Sequence, residues 1–377
     1  MNNPTAAQGL VARFAEILPQ ELEPLSLGEG NTPLVRLRHL EATLAQPIAW
    51  YAKFEGANPT GSFKDRGMVV AVAAALHQGH RAVLCASTGN TSASAAAYAA
   101  AAGMRAVVLI PHGGIAPGKL AQALVYGADV LAVEGNFDQA MALVKEAGQH
   151  LPIALVNSIN PYRLQGQKTI AYEVSEALGK PPDYHALPVG NAGNITAHWI
   201  GYSELAGCDT AACSWCQGHC KVKCRDATGS RPVMLGYQAA GSAPFIQGSP
   251  VADPRTIASA IRIGNPQNWD SAQTVIRESR GWFAAVTDEA ILEAQALLAS
   301  KEGIFCEPAS AASIAGVLMD VKAGRVRAGA TVVSTLTGHG LKDPGAALAV
   351  QHAQPTVVPA GAFLDHLARM LEQPQPR

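Results

Sequence analysis

A chain of 377 residues with 48% apolar and 15% charged side chains can build two ordinary globular cores, which excludes wholesale disorder. A formal net charge of −1, with no long basic run, leaves no electrostatic footprint for nucleic acid. The opening MNNPTAAQGLVARFAEILP lacks a basic start followed by an apolar core, and the most apolar window, residues 93–110, is mostly alanine and broken by Gly103 and Arg105, so a secretion signal and a membrane span are both rejected and a cytoplasmic protein is expected.

Residues 1–26 read as a leading helix, Ala6–Leu18, and a Pro-bounded connector; an extended segment then starts at Thr32-Pro33-Leu34. An apolar run, Ile48–Phe54, reads as a strand that enters KFEGANPTGSFKDRG, residues 53–67. A Val/Ala-rich helical run, Met68–Leu76, leaves it, and the turn formers Gly56, Asn58, Pro59 and Gly61 lie between. Lys64 therefore stands at the mouth of a strand–turn–helix unit, where a ligand can meet a helix N-terminus. The bland alternative is a solvated lysine in a Lys-Asp-Arg cluster. From residue 47 onward, short β-rich runs (82–85, 106–110, 130–133, 153–156, 185–189) alternate with helical runs (91–102, 118–126, 137–147, 164–178). That alternation predicts parallel sheets with crossover helices and ligands gathered at the C-terminal ends of the strands.

Four loops after predicted strands carry the polar chemistry. Ser87-Thr88-Gly89-Asn90-Thr91-Ser92 offers hydroxyls, an amide and backbone N–H groups at a helix start, which suits either an anion cradle or a simple N-cap. Asn157-Ser158-Ile159-Asn160-Pro161-Tyr162-Arg163 places an arginine just inside a helix, fit for bidentate capture of a phosphate or for the surface. Gly190-Asn191-Ala192-Gly193-Asn194 follows a strand and opens a helix whose amides and dipole can cradle a monoester phosphate, a weak signal when taken alone. Thr337 begins TGHGLKD after the strand predicted over 331–335; His339, between two glycines, reads equally as an acid–base group or a turn residue and is left outside the site. Glu307 opens a helix and could serve only to compensate its dipole.

NPTGSFKDRG, together with GNAGN downstream, resembles threonine synthase, a pyridoxal-phosphate enzyme of fold type II, and the resemblance runs from Leu27 to Asp343 with one lapse between Gly207 and Ser230. It implies an α/β fold of two open, twisted, mostly parallel sheets flanked by helices, with pyridoxal 5'-phosphate in the cleft between two domains. Residues 1–62 and 163–377 would form the large domain and 63–162 the small one. Lys64 would form the Schiff base and act as the catalytic base. Phe63, Asn90, the Gly190, Asn191, Ala192, Gly193 and Asn194 turn, and Thr337 at the ring nitrogen would bind the cofactor. Ser87, Thr88, Thr91, Asn157, Ser158 and Arg163 would hold the substrate. The implied reaction converts O-phospho-L-homoserine and water to L-threonine and phosphate in a homodimer with no nucleic-acid or membrane partner. The same fold also serves serine/threonine dehydratases and a cysteate-forming activity, and a non-catalytic metal- or redox-sensing module is the reading from a different class.

Five of the seven cysteines crowd into the lapse, at positions 208, 213, 216, 220 and 224. Cys213, Cys216, Cys220 and Cys224 follow one helical face and are candidate metal ligands, although three residues between the second and third is short for a zinc site. An idle loop or a redox disulfide fits the spacing as well, and no metal is assigned. Cys85 and Cys306 read as ordinary buried thiols.

Overall fold

The computed structural model describes residues 9–19, 21–112, 117–134, 137–158, 160–207, 229–345 and 356–372. The cysteine-rich stretch, and with it the four candidate metal ligands, lies outside the described residues. Residues Met1–Pro344 form one compact unit and Gly345–Arg377 a second.

The first unit begins with α1 (Gly9–Arg13), β1 (Leu34–Arg36), α2 (Arg38–Glu41), β2 (Ala49–Phe54) and α3 (Lys64–His77). An alternating stretch follows: β3 (Ala82–Ala86), α4 (Asn90–Ala101), β4 (Arg105–Pro111), α5 (Pro117–Val125), β5 (Asp129–Val133), α6 (Phe137–His150) and β6 (Ile153–Leu155). Next come α7 (Pro161–Leu178), β7 (Tyr184–Pro188), α8 (Gly193–Leu205), β8 (Val233–Ala239), α9 (Pro244–Gln247) and α10 (Trp269–Ser279). The unit closes with β9 (Trp282–Val286), α11 (Asp288–Leu297), α12 (Pro308–Lys322) and β10 (Thr331–Leu336). The second unit contains α13 (Phe363–Glu372), an amphipathic helix.

Among the described residues ten strands build two sheets, in the order β1-β2-β10-β7-β8-β9 and β5-β4-β3-β6. Every pairing is parallel except β1 with β2, where Leu34 faces Lys53 across an antiparallel edge. Helices cover both faces of such sheets, so the strands are apolar on both sides; β7 and β10 are buried at every position but their first. The same double burial explains α3 and α4, whose Val/Ala runs have no polar stripe and are almost wholly buried. Helix α7 shows why the chain turns where it does. The Asn160 side chain accepts the Tyr162 N–H at 2.9 Å, Pro161 occupies the first turn, and Gly179 closes the helix in the left-handed region at φ 72°.

Two glycines decide how close the site's helices come. A Cβ on Gly166 of α7 would lie 1.8 Å from the Arg66 carbonyl oxygen, and one on Gly67 of α3 would lie 2.8 Å from the Arg163 carbonyl oxygen. Helices α3 and α7 therefore touch backbone to backbone, and their first turns, carrying Lys64 and Arg163, are brought side by side.

Candidate active site

Strand order assembles the site. In the larger sheet, β2, β10 and β7 are neighbours, and the chain leaving their C-terminal ends carries Lys64, Thr337 and the Gly190–Asn194 turn respectively. In the smaller sheet, β3 and β6 are neighbours, and they lead into Ser87–Asn90 and Asn157–Arg163. Ligands of open α/β sheets gather at these ends.

Lys64 is the first residue of α3, half-buried, with its Nζ 4.2 Å from the centre of the Phe63 ring. Burial and the neighbouring Arg163 charge hold its pKa down to about 7, against the opposing pull of Glu307. The flanking charges are not a solvated cluster. Asp65 is buried and accepts from Thr60 N at 2.7 Å, Thr60 Oγ1 at 2.6 Å and Ser94 Oγ at 2.6 Å, clamping the turn and α4 to the start of α3. Burial raises the Asp65 carboxyl to about 6 in spite of these donors. Arg66 is wholly buried between Glu55 and Glu173. Lys64 is thus pinned from both sides by neighbours whose side chains face away from it.

The segment after β10 is strapped to the lysine turn: Phe63 N donates to the Thr337 carbonyl at 2.9 Å, and Ser62 pairs with Gly338. The Thr337 hydroxyl donates to Glu307 Oε1 at 3.1 Å and lies 2.9 Å from Ser310 Oγ. Asn90, the first residue of α4, donates from Nδ2 to the other oxygen, Glu307 Oε2, at 3.0 Å. Glu307 therefore joins two of the expected cofactor residues. It is the N-cap of α12, and its two oxygens are engaged by Asn90 and Thr337 rather than by a cap hydrogen bond. Burial raises its pKa against the donors and the facing Lys342 and Lys64. Sequence reasoning noted the position and missed the part it plays; an acid directly before a helix-opening proline, in a matching segment, was the available signal. His339 is a turn residue whose Nδ1 accepts from Leu341 N.

Ser87, Thr88 and Thr91 are half-buried around the start of α4. The Asn157 side chain is occupied: its Nδ2 donates to the Ala86 carbonyl at 3.0 Å and its Oδ1 accepts from Ala86 N at 3.1 Å, which carries the hold of β6 on β3 one step beyond the ladder and fixes the residue before Ser87. Ser158 is half-buried beside it. The Arg163 guanidinium is buried, donating from Nη1 to the Val156 carbonyl at 3.2 Å, while its Nε has no partner. Burial holds its pKa down at about 10, and among the described residues no carboxylate lies within ion-pair distance.

In the turn before α8, Ala192 takes the left-handed conformation at φ 63° and no side chain caps the helix. The Asn191 carbonyl accepts from Asn268 N at 3.2 Å and Nδ2 at 3.0 Å, tethering the turn to α10. Asn194 is buried with both polar atoms of its side chain unpartnered. An uncapped helix start beside an orphaned buried amide offers hydrogen-bond donors of the kind that receive an anion.

Residues 25–338 match the family model of pyridoxal-phosphate dependent enzymes. The fold agrees: maize serine racemase superposes with a TM-score of 0.67 at 19% identity, over 96% of each chain. The threonine deaminase of T.th. gives 0.64 at 25% identity, over 86% of this chain and 94% of that one. Sheets, site and family model together define a fold-type-II pyridoxal-phosphate enzyme. The threonine synthase of Synechocystis is 52% identical over 90% of this chain and 85% of its own length. That of Halalkalibacterium halodurans is 51% identical over 96% and 97%. The chain belongs to the threonine synthase family. The residues fit the family's cofactor: a half-neutral amine, an uncapped helix start with the orphaned Asn194 amide, and the Asn90 and Thr337 side chains held in place by one carboxylate. Among the described residues no cluster of His, Cys, Asp or Glu could hold a metal, and no helix is long and apolar enough to cross a membrane. Cys85 and Cys306 are free, buried thiols.

Proposed function

We propose that the chain converts O-phospho-L-homoserine and water to L-threonine and phosphate. Its relatives of about half identity are threonine synthases. The observation that supports the substrate class is Arg163, a buried cation without a carboxylate partner among the described residues, next to the amine of Lys64. A buried charge is stable only when compensated, and a phosphate ester supplies the compensation where the reaction needs it.

Bound pyridoxal phosphate supplies an electron sink for charge developing at the substrate Cα. Lys64 would hold it through Nζ, the Gly190–Asn194 turn and the first amides of α8 would hold its phosphate, and Phe63, Asn90 and Thr337 would hold its ring. With a pKa of about 7, the Lys64 amine can accept the Cα proton near neutral pH and, once it has passed that proton on and is neutral again, a Cβ proton. Arg163, with Ser87, Thr88, Thr91 and Ser158, would take up the charge that grows on phosphate as the Cγ–O bond breaks. Asn157 acts from behind them, through its grip on Ala86. A proton is then delivered to Cγ in place of the departed phosphate, the hydroxyl of water adds at Cβ, and a proton is restored to Cα.

Residues 63–162 are proposed as the small domain and 1–62 with 163–377 as the large one, in a cytoplasmic homodimer. The test of the reaction compares phosphate and threonine formed from O-phospho-L-homoserine with keto acid formed from threonine. Equal amounts of phosphate and threonine are expected; keto acid without phosphate turnover would place the chain among the dehydratases.

A further inference from the structure

Beneath the anion turn lies a set of polar groups with no part in the chemistry above. His185 on β7, His198 and Tyr202 on α8, and Thr335 on β10 are all fully buried. The two imidazoles meet edge to face with ring centres 4.7 Å apart. Four contacts link them: His198 Nδ1 to the Asn194 carbonyl at 2.8 Å, His198 Nε2 to Thr335 Oγ1 at 3.2 Å, Thr335 Oγ1 to His185 Nε2 at 2.8 Å, and His185 Nδ1 to Tyr202 Oη at 2.7 Å.

Donor and acceptor rules leave one arrangement. A carbonyl oxygen only accepts, so His198 carries its proton on Nδ1. Burial depresses the pKa of both histidines, to about 4 for His198, so both rings are neutral and His198 Nε2 is a bare acceptor. The single Thr335 proton must point to it. Thr335 Oγ1 then accepts from His185 Nε2–H, which leaves His185 Nδ1 bare to accept the Tyr202 O–H. Every donor has one acceptor, and the order runs one way from Tyr202 to the carbonyl of Asn194, the residue whose side-chain amide is orphaned at the start of α8.

We infer that His185, Thr335 and His198 are positioning residues, a directed hydrogen-bond chain that locks the first turn of α8 to β10 and so fixes the anion turn relative to Thr337. The inference rests on the reading that residues 190–194 receive the phosphate of the cofactor. Thr335 is the joint, since it is the only member on β10 and it both accepts and donates. No group in the chain carries a formal charge, so its part is to hold geometry and not to serve as a counter-ion to the phosphate.

The experiment compares Thr335→Val, which keeps the shape and removes the hydroxyl, with Thr335→Ser, which keeps the hydroxyl. Apoprotein is titrated with pyridoxal phosphate, the 31P shift of the bound phosphate is recorded, and 15N spectra of the wild-type histidines give their tautomers. Expected are a loss of cofactor affinity of about tenfold in the valine variant, the value of one or two hydrogen bonds, with a displaced 31P resonance and recovery by serine. The spectra should show His198 protonated on Nδ1 and His185 on Nε2. A valine variant that melts earlier yet binds the cofactor with wild-type affinity and an unmoved 31P signal would reduce the chain to packing and overturn the proposal. So would the opposite tautomers, which can be read even if Thr335→Val does not fold. Failure of wild-type protein to take up pyridoxal phosphate at all would instead sink the cofactor assignment, and the tautomers would still decide whether the chain exists.

Discussion

Replacing Arg66 by methionine tests how Lys64 is held. The guanidinium donates to Glu55 at 2.7 and 2.9 Å, to Glu173 at 2.8 and 2.6 Å, and to Thr169 and Thr32 at 3.1 Å each, all within the core. Methionine fills most of the volume and removes every donor. Glu173 keeps Lys53 Nζ at 2.7 Å, but Glu55 keeps only neutral donors, Thr32 Oγ1 at 2.6 Å and Asn58 Nδ2 at 2.8 Å. Breaking a buried pair in this way costs about 3–5 kcal/mol, because a charge is left uncompensated out of water. The pH dependence gives the sign. In the wild type, Arg66 and the other donors outweigh burial and hold both carboxylates below their ordinary value of 4.5. Their stabilisation is therefore full above that value and fades as pH falls through the lowered native pKa values. In the methionine variant, Glu55 is instead pushed upward, takes up a proton on mild acidification, and the penalty shrinks. Urea unfolding of the apoprotein at pH 7.5 and pH 5 should show a large loss at the first and a smaller one at the second, and Glu55→Gln in the same chain should restore part of it. A loss below about 1 kcal/mol, or one equal at both pH values, would refute this account of the network.

Other measurements bear on the site itself. Cofactor uptake by apoprotein, followed by absorbance, should speed up with pH through a midpoint near 7, since the neutral Lys64 amine is the nucleophile and its pKa is lowered to about that value; a midpoint near 10 would contradict the lysine's environment. Arg163→Met should raise KM for the phosphate ester by about ten- to a hundredfold, as expected for a lost charge-assisted contact. The same variant should move the uptake midpoint upward, because Arg163 is one of the two causes of the lowered Lys64 pKa; an unchanged KM would remove Arg163 from the substrate site. Glu307→Gln keeps the shape but presents an NH2 to either Asn90 or Thr337. Turnover should drop by about tenfold or more while the melting temperature moves little, and equal losses in both would mark Glu307 as structural.

The alternation of short apolar runs and helices was sufficient to specify parallel sheets, and the boundaries of β3, β4, β5 and α4 fall within a residue of expectation. Those features depend on contacts a few residues apart, which a pattern of apolar positions encodes directly. The Lys64 turn and GNAGN were legible for the same reason, since strand–turn–helix units are local. Strand order is not local: only the folded chain sets β10 between β2 and β7, and that neighbourhood is what brings Thr337 and the anion turn to the lysine. The buried partners of Arg66, the Glu307 carboxylate between Asn90 and Thr337, and the histidine chain under Asn194 were invisible for that reason. Each joins side chains far apart in sequence, and a charged or polar residue reads as surface until its partner is known to face it in the core.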